Sequence, residues 1–252
     1  MSSTMIGNKS WRLFIVAIED EAKPILDYFN LKRIDNSSIK NELFTHVNFK
    51  TFGNSFFQLT EGFKIYSNPI GIENILIVSG IGKINASAAT SLGLQIFNPA
   101  EVINFGLCGS LHPNKIKKGD FVIVSKVFQH DFYLPFKGKD FDYLFETINL
   151  DISNRPKHPS LEDLDKISNF SFVKLASGDS FIDNAEDRNN LASVADVVDM
   201  EGYAIAKICS LFRKKLSMYK MVSDFSDKKS KEDFSKVFIK YNDKTKNILI
   251  NL

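Results

Sequence analysis

Residues 194–224 read VADVVDMEGYAIAKICSLFRKKLSMYKMVSD: an apolar run, a helical segment and a second apolar run in succession. Val194 to Val198 and Leu216 to Val222 each read as a buried strand. Between them, Tyr203 to Lys215 carries Ala204, Ile205, Ile208 and Leu211 at helical spacing. Both runs end in acid, at Asp199-Met200-Glu201-Gly202 and at Ser223-Asp224. In an α/β sheet, the C-terminal ends of neighbouring strands face the crevice where ligands bind. Burying carboxylates there is unfavourable unless a partner needs their negative charge or a proton. The unit predicts an α/β sheet with an acidic crevice.

The alternation extends toward the N-terminus. Leu13 to Ile18 is a continuous apolar run, suited to a strand covered on both faces. It breaks at Glu19-Asp20-Glu21, and Ala22 to Phe29 reads as a helix with Pro24 in its first turn. Asp35 to Asn41 is a polar turn, and Leu43 to Tyr66 suggests one or two hairpins. Asn74 to Val78 is a strand, followed by Ser79-Gly80-Ile81-Gly82-Lys83 and a helix carrying Ala86, Ala89 and Leu92 to Ile96. Glu101 to Phe105 reads as a strand ending at Gly106-Leu107-Cys108-Gly109-Ser110. Phe121 to Val127 and Phe172 to Ala176 are further strands, separated by an irregular surface excursion from Leu134 to Ser160. Lys231 to Leu252 closes the chain as a helix, with Phe234, Val237, Phe238 and Tyr241 on one face. One α/β domain over residues 1–252 follows, its sheet parallel or mixed, with residues 1–10 expected to be disordered.

Composition excludes several classes. A chain of 252 residues, 44% hydrophobic, can bury a sizeable core. Its formal charge of +2 is spread evenly, without the basic face of a nucleic-acid binder. Neither a signal peptide's apolar core nor a membrane-length run is evident. The histidines lack metal-ligand spacing, and the two cysteines, Cys108 and Cys209, sit in apolar surroundings as core thiols do. These features predict a soluble cytoplasmic protein without nucleic-acid or membrane partners and without a structural metal.

Taken singly, the motifs are ambiguous. Ser79-Gly80-Ile81-Gly82-Lys83 suits a phosphate cradle, but it equally suits a tight strand-to-helix turn. The glycines of Gly106-Leu107-Cys108-Gly109 allow close approach to a ligand or simply a turn. Ser177-Gly178-Asp179 is a site loop or a capping loop. Glu19-Asp20-Glu21 fits a solvated first helical turn, where negative charge complements the helix dipole.

Their order is more specific. Ala17-Ile18-Glu19-Asp20-Glu21-Ala22, Ser79-Gly80-Ile81-Gly82-Lys83, Asn104-Phe105-Gly106-Leu107-Cys108-Gly109, Ser177-Gly178-Asp179-Ser180-Phe181, Asp199-Met200-Glu201-Gly202 and Ser223-Asp224 together resemble the nucleoside phosphorylase and nucleosidase family. Within that family the chain looks most like the 5′-methylthioadenosine/S-adenosylhomocysteine nucleosidases. The resemblance implies a twisted, partly barrel-like mixed sheet flanked by helices, and a homodimer. It implies an adenine nucleoside as substrate, with no cofactor. By the same likeness Asp224 protonates the purine at N7 as general acid, with Ser223 beside it, and Glu201 binds the ribose hydroxyls. Met200 packs on the sugar, Phe181 stacks on the base, and the Ile182 backbone reads the base edge.

The family divides by what attacks the anomeric carbon. Phosphate needs cationic partners, typically an Arg in the early loop and an Arg-x-Gly-Ser/Thr sequence after the middle strand. Here Glu21 stands in the early loop and Asn104-Phe105-Gly106-Leu107 at the second place. A carboxylate repels phosphate but can take a proton from water, so water is the expected nucleophile and Glu21 its general base. Two positions depart from the pattern: Leu107 stands where the family normally has Ser or Thr, and Lys220 where bacterial nucleosidases commonly carry Arg and plant-type relatives carry Lys. Ile18 and Phe234 are candidates for an apolar 5′ pocket, to which a partner subunit contributes from Phe128 to Phe136. The alternatives are a phosphate-dependent nucleoside phosphorylase and a nucleoside-binding protein without turnover.

Overall fold

The computed structural model describes residues 11–34, 62–68, 73–135, 146–151, 171–230 and 237–250. The N-terminal ten residues, the turn at 35–41, the hairpin region before residue 62, much of the 134–160 excursion and Phe234 lie outside the described residues.

Strand β1 (Arg12–Val16) lies between β4 (Asn74–Val78) and β5 (Glu101–Ser110), parallel to both. Its unbroken apolar run follows from burial on both faces. Leu13 and Ile15 join Ile75 and Ile77 beneath helix α2 (Lys83–Phe97), through Ala86 and Ala89. Phe14 and Val16 face the other way, with Leu76, against Ala22 and Ile25 of α1 (Glu19–Phe29) and Tyr241 of α5 (Phe238–Leu249). At Gly93, α2 lies so close to the sheet that a Cβ would come within 2.6 Å of Leu13 Cδ2.

Beyond β4 the sheet continues antiparallel through β3 (Lys64–Ser67) and β2 (Lys32–Arg33). Beyond β5 it closes on itself. β10 (Lys215–Asp224) runs parallel to β5 and antiparallel to β6 (Phe121–Gln129). β8 (Ser171–Ser177) runs parallel to β6, and the short β9 (Val197–Asp199) is parallel to β8 and antiparallel to β5. The ring β5-β10-β6-β8-β9 is thus the barrel-like part, with β1, β4, β3 and β2 as an open extension. Helix α4 (Gly202–Leu211) connects β9 to β10. Among the described residues no helix is long and apolar enough to cross a membrane.

Several expectations need correction. α1 begins at Glu19, so Pro24 falls beyond its first turn, where the ring leaves the Asp20 carbonyl without its in-helix donor. The strand predicted at 101–105 continues through Ser110 rather than turning at the glycines. Gly109 serves packing instead, since a Cβ there would lie 2.3 Å from Ser226 Oγ. The run at Val194 to Val198 yields a strand only from Val197. Val194 closes the turn after α3 (Ala185–Ala192), and the Asp196 carboxylate accepts the Lys174 N–H at 2.9 Å. β9 and β10 are not direct neighbours, because β5 pairs with both. The 134–160 excursion contains a strand, β7 (Ile148–Asn149), paired with β6, and the C-terminal helix spans Phe238–Leu249.

Candidate active site

The ends of β1, β5, β9 and β10 surround a cavity of about 420 Å³. Glu21, Glu201 and Asp224, far apart in sequence, all line it, and each is at most 8% exposed. Ile18, Leu107, Phe181, Ile182, Met200 and Ser223 line it as well. Gly106 and Lys220 lie behind the wall, and Phe234 is outside the described residues. Among the described residues that line the cavity, none is Arg, Lys or His, whereas Asp183 and Asp199 add to its acids.

The acidic triplet of α1 divides by burial. Glu19 is exposed and pairs with Lys64 at 2.7 Å, while Glu21 turns inward. Glu21 Oε2 accepts from the Ala17 and Ile18 N–H groups at 2.9 and 3.3 Å, and Oε1 from the Leu107 N–H at 2.9 Å. Glu21 thereby caps its own helix and ties it to β5. Burial raises its pKa, against the attraction of Lys220 and these three donors. A Cβ at Gly106 would sit 3.1 Å from both Glu21 Oε1 and Lys220 Nζ, so glycine lets the acid and the ammonium approach β5.

Glu201 precedes α4, and its Oε1 accepts the Gly82 N–H at 2.8 Å. Burial, then the negative charge of Asp199, pushes its pKa up to about 8. Lys220 and Asp199 form a fully buried pair at 2.7 Å. The Asp199 carboxylate also accepts the Gly202 N–H, 3.1 Å from each oxygen. Burial disfavours the Lys220 ammonium, but Asp199, Glu201 and Glu21 outweigh it and raise its pKa. One buried cation therefore faces three carboxylates: burial raises both Glu21 and Glu201, and at Glu201 the charges of Asp199 and Glu21 add to it.

Asp224 ends β10 just past an irregularity in its register with β5, between Val222 and Asp224. Such bulges re-aim side chains. Its Oδ1 accepts the Ser226 N–H at 2.8 Å, and Ser226 adopts a left-handed φ of 51°. Ser223 Oγ lies 2.6 Å from Asp224 Oδ2 and 3.2 Å from the Cys108 carbonyl. The single hydroxyl proton can go either way, so Ser223 can satisfy a neutral or an ionised Asp224. Cys108 lines the cavity, but burial pushes its thiol well above the usual range, away from the reactive thiolate.

Sequence reasoning left out Asp199, Ser226 and the Gly82 N–H as site groups. Asp199 was visible in the acidic motif. Ser226 and Gly82 act through their main chains, for which no residue type is diagnostic.

The α/β sheet closes into a ring, and its strand ends bring buried carboxylates to one cavity. The chain belongs to the phosphorylase superfamily, whose sequence pattern matches residues 13–252. It is similar to the 5′-methylthioadenosine/S-adenosylhomocysteine nucleosidase of Buchnera aphidicola, 32% identical over 201 residues, 77% of this chain and 82% of that protein. The fold matches that of the Neisseria meningitidis enzyme of the same name, solved with methylthio-immucillin-A. The TM-score is 0.74 at 22% identity, covering 96% of this chain and 97% of that one. It matches the futalosine hydrolase of Helicobacter pylori similarly, with a TM-score of 0.72 at 20% identity over 97% and 98% of the two chains.

Proposed function

We propose that the protein is a purine nucleosidase that hydrolyses 5′-methylthioadenosine, with S-adenosylhomocysteine and 5′-deoxyadenosine as related substrates, to adenine and the 5-substituted ribose. The observation that carries this reading is the convergence of Glu21, Glu201 and Asp224 on one cavity whose described wall has no cationic side chain. Asp224 gives a proton to N7, and the bond between the anomeric carbon and N9 breaks with its electron pair moving into the base. Glu201 accepts hydrogen bonds from the ribose hydroxyls and, in its ionised form, stabilises the positive charge that develops on the sugar. Glu21 takes a proton from the water whose oxygen bonds to the anomeric carbon. Lys220 acts from behind, balancing Asp199. Names of the relatives support the substrate class, and the acidic wall supports water over phosphate.

Incubation in phosphate-free buffer with a panel of adenine nucleosides, with free base quantified by chromatography, tests this. Adenine is expected from methylthioadenosine at a rate unchanged by added phosphate. Release that depends on phosphate would identify a phosphorylase, and tight binding without release would identify a non-catalytic binder.

We assign a second copy of the chain to the apolar rim of the cavity. Ile81 on the cavity wall is 54% exposed, and Ile84 and Tyr133 near it are each 82% exposed. Lys83, beside Ile84, bonds to Asp131, two residues before Tyr133, which brings these side chains to one region. Sedimentation should report a dimer for the native chain and a monomer for Ile84→Asp. The two buried free thiols suit a reducing cytoplasm.

Glu201 also has a consequence for stability. Its folded pKa of about 8 exceeds the ordinary 4.5, so between these pH values the folded state holds a proton that the unfolded state has lost. Stability should fall as pH rises through that window, by up to about 1.4 kcal/mol per unit from this group. Glu201→Gln removes the titration, so its melting temperature should overtake that of the native protein progressively from pH 5.5 to 8. Parallel melting curves for the two proteins would sink the assignment of this titration.

A further inference from the structure

We propose that Asp179, with Asp131 and Lys83, is a positioning cluster for Glu201, fixing the first turn of α2 so that the Gly82 N–H stays on the Glu201 carboxylate. None of the three lines the cavity, and they come from three separate strand ends. The proposal rests on the reading of Glu201 as the ribose-binding acid and deepens it.

The geometry is a closed circuit. Two consecutive N–H groups at the start of α2 reach two different carboxylates: Gly82 donates to Glu201 Oε1 at 2.8 Å, and Lys83 to Asp179 Oδ1 at 2.7 Å. The Asp179 N–H in turn donates to Asp131 Oδ2 at 2.7 Å, and Asp131 Oδ1 takes the Lys83 ammonium at 2.5 Å. The same ammonium lies 3.9 Å from Asp179 Oδ2. Each acid thus holds both a backbone N–H and the one cation. The segment has little freedom otherwise: Gly82 has a φ of 95°, and a Cβ on it would sit 3.1 Å from Asp179 Oδ1. Gly178 is confined too, since a Cβ there would approach His130 Nε2 to 2.5 Å. Burial works against the Asp131 charge, yet the Lys83 and Asp179 donors hold its carboxyl below the usual range.

If Asp179 releases Lys83, the Gly82 N–H drifts from Glu201, which loses that backbone donor while still facing Asp199, Glu21 and Lys220. A carboxylate stripped of a donor is harder to ionise. Asp179→Ala should therefore raise KM for methylthioadenosine roughly tenfold, the effect of about one hydrogen bond. The acid limb of the kcat/KM profile should move upward in pH. Asp179→Asn keeps an oxygen for the Lys83 N–H and should retain nearly native values. Lys83→Pro deletes the same N–H from the other side, at a first helical position where proline is tolerated and after a residue already extended in ψ. It also removes the ammonium shared by Asp131 and Asp179, so it should lose at least as much as Asp179→Ala, and it remains informative if the latter fails to fold. Native behaviour in both Asp179→Ala and Lys83→Pro, or equal loss in the Ala and Asn variants with an unmoved pH profile, overturns the proposal. Glu201→Gln separates the two levels: if it leaves KM unchanged the ribose-binding reading itself fails, whereas an effect of Glu201→Gln with none from Asp179→Ala refutes the cluster alone.

Discussion

Asp224→Asn should cut adenine release from methylthioadenosine by roughly two to four orders of magnitude, the range a general acid supplies. The variant is conservative in structure. An amide oxygen can still accept the Ser226 N–H, and the amide nitrogen can donate to Ser223 Oγ, which remains free to donate to the Cys108 carbonyl. What disappears is the transferable proton. Adenine leaves poorly as an anion and well once N7 is protonated, so the loss should fall on kcat with KM little changed. A substrate whose leaving group departs without protonation, such as a nitrophenyl 5-methylthioriboside, should be cleaved by the variant almost as fast as by the native enzyme. Equal impairment on both substrates would remove Asp224 from the role of acid and leave it a binding group.

Glu21→Ala should be nearly as damaging, again by roughly two to four orders of magnitude. Alanine is preferable to glutamine at this position. Both Glu21 oxygens accept backbone N–H groups, so an amide would have to aim its NH₂ at the donor of Leu107, or at those of Ala17 and Ile18. The truncation leaves a space lined by those donors and by the nearby Lys220, which a small carboxylate can enter. Added formate should therefore restore part of the rate, whereas added phosphate should not. Restoration by phosphate instead would mean that the early loop can serve phosphorolysis, contrary to the acidic wall of the native cavity. Thermal melting should accompany the assay, because Glu21 also closes the first turn of α1.

The sheet was legible from strong local signals, and the convergence of the three acids from the order of the motifs along the chain. Buried strands such as β1 and β4 are unbroken apolar runs, and Asp199 to Gly202 and Ser223-Asp224 follow such runs directly. α3 was not legible: none of its residues is buried, so no apolar face marks it, and only the Asn184 cap, which accepts the Asp187 N–H, announces it. The course of β5 past Phe105 was misread for the opposite reason. Glycine usually signals a turn, but here Gly106 and Gly109 make room for Glu21 and Ser226 across an uninterrupted strand. The Lys83–Asp131–Asp179 circuit was invisible as well, since 96 residues separate Lys83 from Asp179 and half of its bonds use main-chain donors.

Leu107 reaches Glu21 through its amide and not through its side chain. Any amino acid other than proline supplies that amide. The side chain at this spot is consequently at liberty to change between hydroxyl and hydrocarbon while the Glu21 carboxylate keeps its tether.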